Sequence, residues 1–124
     1  MRVLLCGLGS ILNNALDYRL RKYGYRVIAA RDANDALGRI HTGNVDIIIS
    51  SINLDGFGLS SFVGLIREDL GHSIPIILVT EIESDAETLM EGMEAGADDF
   101  VTFPFKPAEL VMRIKLLLYR YVHY

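Results

Sequence analysis

The chain has 124 residues, 51% of them apolar, and a formal net charge of −4 at pH 7. This length suits one domain with a single hydrophobic core, and the apolar content excludes a disordered chain. The acidic balance argues against direct nucleic-acid binding by this domain, which usually requires a basic surface. The N-terminus lacks the pattern of a signal peptide, and no apolar run approaches the roughly 18 residues of a membrane span. We therefore expect a soluble cytoplasmic protein.

The first part of the chain alternates short apolar runs with segments of helical periodicity. Val3–Cys6 predicts a first strand, and the spacing of apolar residues over Ile11–Tyr23 predicts a first helix. A second strand is predicted at Val27–Ala30. Asp32 follows it in the position of an N-cap and predicts the start of a second helix over Ala33–Ile40.

The central part of the chain contains two more strongly apolar runs. Val45–Ile49 and Ile74–Val79 are nearly continuous rather than alternating, which predicts strands that are buried on both faces. Between them a glycine-rich loop leads into a helix that we place over Leu59–Leu70. These strands are typical of a parallel sheet that carries helices on both of its sides.

The last part of the chain repeats the alternation. Ser84 is placed to cap a helix that ends at Ala95, and Phe100–Val101 predict a short fifth strand. Pro107 opens the last helix, which we extend to Tyr121. The alternation of strands and helices predicts an α/β fold with a parallel sheet, in which functional groups lie at the carboxyl ends of the strands.

Several segments carry a more specific signal. Arg2–Cys6, Ala30–Leu37, Asp46, Pro75–Thr80 and, most specifically, Gly96–Phe105 follow one another in the order and spacing of known motifs. Together they resemble the receiver domain of two-component response regulators, the CheY-like family. The resemblance covers nearly the whole chain, so residues 1–124 form a single receiver-like domain. It implies a flavodoxin-like (βα)5 fold, a doubly wound sheet of five parallel strands in the order 2-1-3-4-5.

In that family a histidine kinase passes a phosphoryl group to an aspartate, assisted by magnesium on an acidic pair, a hydroxyl and a lysine. The resemblance places the acceptor at Ser51, the acidic pair at Gly7 and Leu8, and the lysine at Phe103, while Thr80 retains the hydroxyl. A serine needs an adjacent base to act as a nucleophile. We therefore expect a pseudo-receiver with no phosphorylation, metal, cofactor or enzymatic activity, in which Leu8 and Phe103 pack together and plug the site.

The resemblance further implies that the fourth helix, fifth strand and fifth helix contact a protein partner or form a homodimer. Asp99, Glu109 and Arg113 match charged positions of that face, whereas Leu89 stands where a basic residue is expected. Phe100 keeps an aromatic position without its hydroxyl, and Tyr119 extends the apolar surface of the last helix. Receivers link to an effector after this helix, so we favour a domain of a longer protein over a stand-alone one, with any DNA contact made by the effector.

Two alternative functions remain open from the sequence alone. A working receiver could use another acid as phospho-acceptor, such as Asp55 in the loop after the third strand. The Gly7-Leu8-Gly9 turn also resembles part of a dinucleotide-binding turn, although Leu12 stands in place of its third glycine. Labelling by a small phosphodonor would identify the first function, and thermal stabilisation by a dinucleotide would identify the second.

Overall fold

A computed structural model of the protein describes residues 1–70, 73–81 and 86–123, in which strands and helices alternate along the chain. The strands are β1 (Arg2–Cys6), β2 (Arg26–Ala30), β3 (Ile47–Ser51), β4 (Ile76–Glu81) and β5 (Asp99–Phe103). The helices are α1 (Ser10–Lys22), α2 (Ala33–His41), α3 (Leu59–Leu65), α4 (Ala86–Ala95) and α5 (Pro107–His123). A π-helical segment, Ile66–Leu70, continues directly from α3. Within these described ranges no helix is both long and apolar enough to span a bilayer.

The strands are all parallel and lie in the order β2-β1-β3-β4-β5. This confirms the predicted doubly wound α/β fold. The register pairs Cys6 with Ser50, Ser51 with Val79, and Glu81 with Phe103. The carboxyl ends of β1, β3, β4 and β5 therefore lie side by side along one edge of the sheet. In folds of this type that edge carries the functional groups.

Each face of the sheet has its own hydrophobic core. Side chains from α1 and α5 cover one face, including Leu16, Leu20, Leu110 and Ile114. Side chains from α2, α3 and α4 cover the other face, including Ala36, Ile40, Phe62, Leu89 and Met93. Successive residues of β3 point alternately into the two cores, Ile47 and Ile49 into the first and Ile48 into the second. This alternation explains why the run is apolar at every position.

The predicted start of α2 is confirmed in detail. The Asp32 carboxylate accepts a hydrogen bond from the backbone N–H of Asp35 at 2.7 Å. The Asp35 carboxylate accepts one in turn from the backbone N–H of Arg31 at 2.8 Å. These reciprocal bonds satisfy N–H groups that the first turn of a helix leaves without partners. The predicted cap at Ser84 lies outside the described residues.

The predicted strand bounds were wrong by up to two residues. β4 begins at Ile76 instead of Ile74, because Pro75 has no N–H and the carbonyl of Ile74 accepts a bond from the Arg67 side chain at 2.6 Å. β5 is longer than predicted and runs to Phe103, since its residues continue to pair with β4. The extension places Phe103 at the functional edge of the sheet.

Candidate functional site

The carboxyl ends of the strands surround a cavity of about 430 Å³. The turn after β1 and the first turn of α1 form one wall, the residues after β3 form the floor, and β4 and β5 close the other side. The lining residues are Gly7, Leu8, Gly9, Ser10, Ile11, Leu12, Ser51, Ile52, Asn53, Val79, Glu81 and Phe103. The cavity thus brings together Gly7, Leu8, Ser51 and Phe103, which are far apart in the sequence.

Gly7 has a backbone conformation that disfavours any side chain. Its φ is +72°, in the left-handed region that glycine adopts without steric cost. A Cβ atom at this position would lie 3.0 Å from Cδ2 of Leu54 and 3.3 Å from Cβ of Ser51. An aspartate here would therefore adopt a strained backbone conformation, and the end of the Leu54 side chain would have to shift by a few tenths of an ångström. The position where the family has a metal-binding acid thus favours glycine.

Ser51 takes part in a local turn and not in a nucleophile–base pair. Its Oγ accepts a hydrogen bond from the backbone N–H of Asn53 at 3.0 Å, and its carbonyl accepts one from the Ser50 hydroxyl at 2.9 Å. Among the described residues that line the cavity there is no histidine or lysine, and Glu81 is the one ionisable side chain. A hydroxyl in this setting has neither the charge of an aspartate nor the base that activates a serine.

Leu8 and Phe103 line the cavity and do not fill it. Leu8 packs against the core formed by α1 and α5. The Phe103 ring meets Phe105 edge to face, with 6.1 Å between ring centroids, and the residue is 42% exposed. Phe103 therefore packs against a residue close to it along the chain, and the predicted contact between Leu8 and Phe103 stays a prediction.

Thr80 retains the family's hydroxyl but lies outside the cavity wall. It is buried, and its Oγ1 donates a hydrogen bond to the Glu81 carbonyl at 3.4 Å. Side chains alternate along a strand, so Val79 and Glu81 face the cavity while Thr80 points to the opposite side of the sheet. The alternation of side chains along a strand would already predict this orientation of Thr80 from the sequence.

The described residues contain no cluster that could serve as a metal site. Asp55 lies in an exposed turn between Leu54 and Phe57 and does not line the cavity. Across the described ranges, no group of three or more histidine, cysteine, aspartate or glutamate residues could hold a metal ion. Cys6 is fully buried at the end of β1, and burial raises the pKa of its thiol to about 11. A protonated thiol of this kind is a packing group rather than a ligand.

The face formed by α4, β5 and α5 contains charged residues that form ion pairs with one another. A guanidinium nitrogen of Arg113 lies 2.8 Å from Oδ2 of Asp99 and another lies 3.4 Å from Oε1 of Glu109. The hydrogen bond that Arg113 donates to Asp99 raises the pKa of the guanidinium, although partial burial opposes the shift. Arg113 thus joins the two acids that the sequence assigned to the same face.

The other three residues assigned to that face differ in their surroundings. Leu89 is partly buried against the core of α2 and α3. Phe100 is 39% exposed on β5. Tyr119 is more exposed and lines a groove with Leu116 of α5 and Tyr23, the residue that follows α1. The exposed apolar surface of α5 thus extends toward α1 as well as toward β5.

A network around Arg67 was not predicted. Its guanidinium donates to the carbonyl of Gly96 at 2.9 Å and pairs with the carboxylate of Asp98 at 2.8 Å. Asp98 also accepts bonds from the Tyr121 hydroxyl at 2.9 Å and from the backbone N–H of Ile76 at 2.7 Å. The network joins the π-helical segment, β4 and the end of α5, so it fixes α5 beside the sheet.

Comparisons with known proteins agree with this architecture. The family model described as "response regulator receiver domain" matches residues 9–115. A chain from Chloroflexus aurantiacus named as a response regulator is 30% identical, with a TM-score of 0.84 over 94% of this chain and 96% of that one. The chemotaxis protein CheY4 of Vibrio cholerae is 26% identical, with a TM-score of 0.81 over 94% of this chain and 97% of that one.

A CheY-like receiver domain from Methanospirillum hungatei gives a TM-score of 0.89 at 22% identity, over 98% of this chain and 96% of that one. At that identity the likeness concerns the fold alone. The family model covers most of the chain, and the strand order and the position of the cavity agree with it. The chain therefore belongs to the response regulator receiver domain family.

Proposed function

We propose that this receiver domain serves two-component signalling without phosphorylation of its own, through protein contacts of the α4–β5–α5 face. Membership of the receiver family supports the signalling role. The absence of phosphorylation is inferred from the chemistry of the cavity, and the contact surface from exposed side chains on β5 and α5. Each inference has a separate test.

The conformation of Gly7 is the observation that carries the first inference. Phosphoryl transfer to an acceptor requires charge neutralisation, usually by a metal on carboxylates and by a lysine. An acidic side chain at Gly7 would have to adopt a φ of +72°, and its Cβ atom would lie 3.0 Å from Cδ2 of Leu54. Leu8 and Phe103 add apolar surface in place of charge. A phosphoryl group at Ser51 would therefore meet no cationic side chain among the lining residues.

Incubation with acetyl phosphate and magnesium, followed by intact-mass measurement, tests this inference. We expect no phosphoryl adduct on the wild-type chain. The Ser51→Asp variant restores the acceptor carboxylate alone and should also remain unmodified, because Gly7, Leu8 and Phe103 still provide neither metal ligands nor a lysine. A phosphoryl adduct on the wild-type chain would refute the proposal, and loss of that adduct in Asp55→Asn would identify Asp55 as the acceptor.

The second inference depends on the surface around Arg113. Its ion pairs with Asp99 and Glu109 are formed within the chain, so they shape the face without requiring a partner. Phe100 adds an exposed aromatic side chain beside them, and aromatic residues next to polar rims are typical of protein interfaces. The surface suits a protein partner or a second copy of the chain.

Sedimentation equilibrium distinguishes these two partners. If the chain dimerises through this face, Phe100→Ser should dissociate the dimer, whereas Tyr18→Ser on α1, an equally polar change at an exposed aromatic, should not. If the wild-type chain is monomeric, a photo-crosslinking residue at position 100 should capture a partner in cells while one at position 18 does not. Equal behaviour of the two positions in both experiments would exclude the face.

A further inference from the structure

The groove between α1 and α5 presents apolar side chains to solvent. Tyr23, Met112, Leu116 and Tyr119 line it, and each of them is between 51% and 58% exposed. Contiguous apolar side chains of this kind on a soluble domain are typical of a surface that binds another molecule. The charges around the groove indicate which kind of molecule fits it.

Three exposed cations lie at this groove. Lys115 is part of its wall, with Nζ 5.2 Å from the centroid of the Tyr23 ring. Contact with an aromatic face leaves the full charge of the ammonium group in place. Arg19 lies one helical turn before Tyr23 on α1. Arg120 lies one turn after Leu116 on α5, so both arginines share the side of their helix that borders the groove.

No acid neutralises these cations within the described part of the chain. Arg19, Lys115 and Arg120 form no ion pair there, whereas the nearby Asp17 is already paired with Arg21. The last residues of the sequence, 122–124, contain no acidic side chain either. The groove therefore combines apolar surface with positive charge, and its complement is a helix face that combines apolar and acidic side chains.

The chain itself carries such a face on α4. Glu87, Met90, Glu91 and Glu94 follow one another at the i, i+3, i+4 and i+7 positions of a helix and line one shallow depression. Met90 is 56% exposed among these acids. α4 contains no cation, and residues 82–85, which precede it and lie outside the described ranges, have the sequence Ile-Glu-Ser-Asp. Their side chains therefore cannot reverse the negative sign of this face.

We propose that copies of this chain associate head to tail, with α4 of one copy seated in the α1–α5 groove of the next. Met90 packs against Met112 and Leu116 of the neighbouring copy, and Glu91 lies opposite its Lys115. α4 covers one side of the sheet and the groove lies on the other, so the contact is heterologous and leaves one surface free at each end. The inference rests on the proposed function, because α4 belongs to the face proposed to make protein contacts, and it names the surface that α4 meets.

Two complementary variants test the proposal by sedimentation velocity. Lys115→Glu blocks the groove and leaves α4 intact, whereas Glu91→Lys blocks α4 and leaves the groove intact. We expect the wild type to self-associate and each variant alone to do so roughly tenfold more weakly, because an attraction becomes a repulsion. A mixture of the two variants should form a 1:1 dimer that grows no further. The double variant, in which both charges are reversed, should regain self-association.

Amide NMR locates the contact in the mixture. When unlabelled Lys115→Glu is added to isotope-labelled Glu91→Lys, the amides of Met112 and Leu116 in the labelled chain should shift and saturate. Salt at about 1 M, where the Debye length is about 3 Å, should largely reverse these shifts. A dispersed amide spectrum establishes that each variant is folded.

Lys106→Glu and Asp55→Lys are the matched controls, since they make the same changes of sign at exposed positions outside both surfaces. Both should associate like the wild type. A monomeric wild type, a mixture of the two blocked variants that stays monomeric, or an equal loss of association in the controls would overturn the proposal. Capture of a partner by the photo-crosslinking residue at position 100 would in each case still support the proposed contact face, so the two proposals fail separately.

Discussion

Replacing Gly92 with alanine tests how closely α4 approaches the rest of the domain. Gly92 is the buried residue of α4, and it faces both α3 and β4. A Cβ atom there would lie 2.6 Å from Cδ2 of Leu59 and 2.8 Å from Cδ1 of Leu78. Both distances are below the 3.0 Å that real Cβ atoms respect. The added methyl group therefore forces side chains of the core, or α4 itself, to move.

Two effects of opposite sign determine the size of the change. Alanine is favoured over glycine in a helix interior by about 1 kcal/mol. Adding a methyl group to a filled core costs about 1–3 kcal/mol. Because two branched side chains on different elements would be displaced at once, we place the overpacking cost near the top of that range. The expected net loss of unfolding free energy is about 1–2 kcal/mol, or a decrease in Tm of about 3–8 °C for a domain of this size.

Urea denaturation followed by circular dichroism measures this loss, and Gly38→Ala in α2 provides the matched control. Gly38 is also within a helix, but nothing lies within 4 Å of a Cβ atom at that position. Its substitution should stabilise the protein by about 0.5–1 kcal/mol through helix propensity alone. If Gly92→Ala is as stable as Gly38→Ala, α4 is not packed as closely as described and the steric argument fails.

Three further predictions concern other parts of the domain. Burial and the hydrogen bond to Asp98 raise the pKa of Tyr121 from 10.0 to about 12. The free energy of unfolding that this shift contributes should be fully present below pH 10 and should be lost as the pH rises toward 12. Tyr121→Phe should remove that pH dependence in urea titrations. Cys6 is fully buried, so iodoacetamide should modify it only after denaturation, as read by intact mass, and modification of the native protein would contradict its burial. Asp32→Ala removes the cap of α2 and should cost about 1 kcal/mol in the same urea assay, whereas Asp32→Asn should cost much less.

The fold could be predicted from the sequence because a strand that is buried on both faces of a parallel sheet is a continuous run of apolar residues. Ile47, Ile48 and Ile49 show it most clearly, since their side chains alternate between two cores and none can be polar. The start of α2 could also be predicted from neighbouring residues, because Asp32 and Asp35, which cap the helix, lie three residues apart. Signals of this kind require no knowledge of distant parts of the chain.

The π-helical segment Ile66–Leu70 could not be predicted in this way. Its Arg67 side chain reaches the carbonyls of Gly96 and Ile74 and the carboxylate of Asp98. Gly96 permits this approach, since a Cβ atom there would lie 2.9 Å from Cγ of Arg67. These partners of Arg67 are distant in sequence. The residues of the segment itself therefore do not indicate that the α-helix changes to a π-helix here.

The positions of the site residues followed from the family resemblance, but their orientations did not. Gly7, Leu8, Ser51 and Phe103 line one cavity, as the alignment of strand ends implies. Phe103 contacts Phe105 edge to face, a pairing that the sequence alone did not indicate. Whether this site is silent toward phosphodonors stays a prediction until the mass measurement is made.

The conformation of Gly7 also limits how simply an acid could be introduced at this site. A substituted residue at position 7 would have to adopt a φ of +72°, and the end of the Leu54 side chain would have to shift by a few tenths of an ångström. Leu8, Ser51 and Phe103 also lack the side chains of the family's phosphorylation site. Engineering aspartyl phosphate chemistry into this domain therefore requires coordinated changes at several positions.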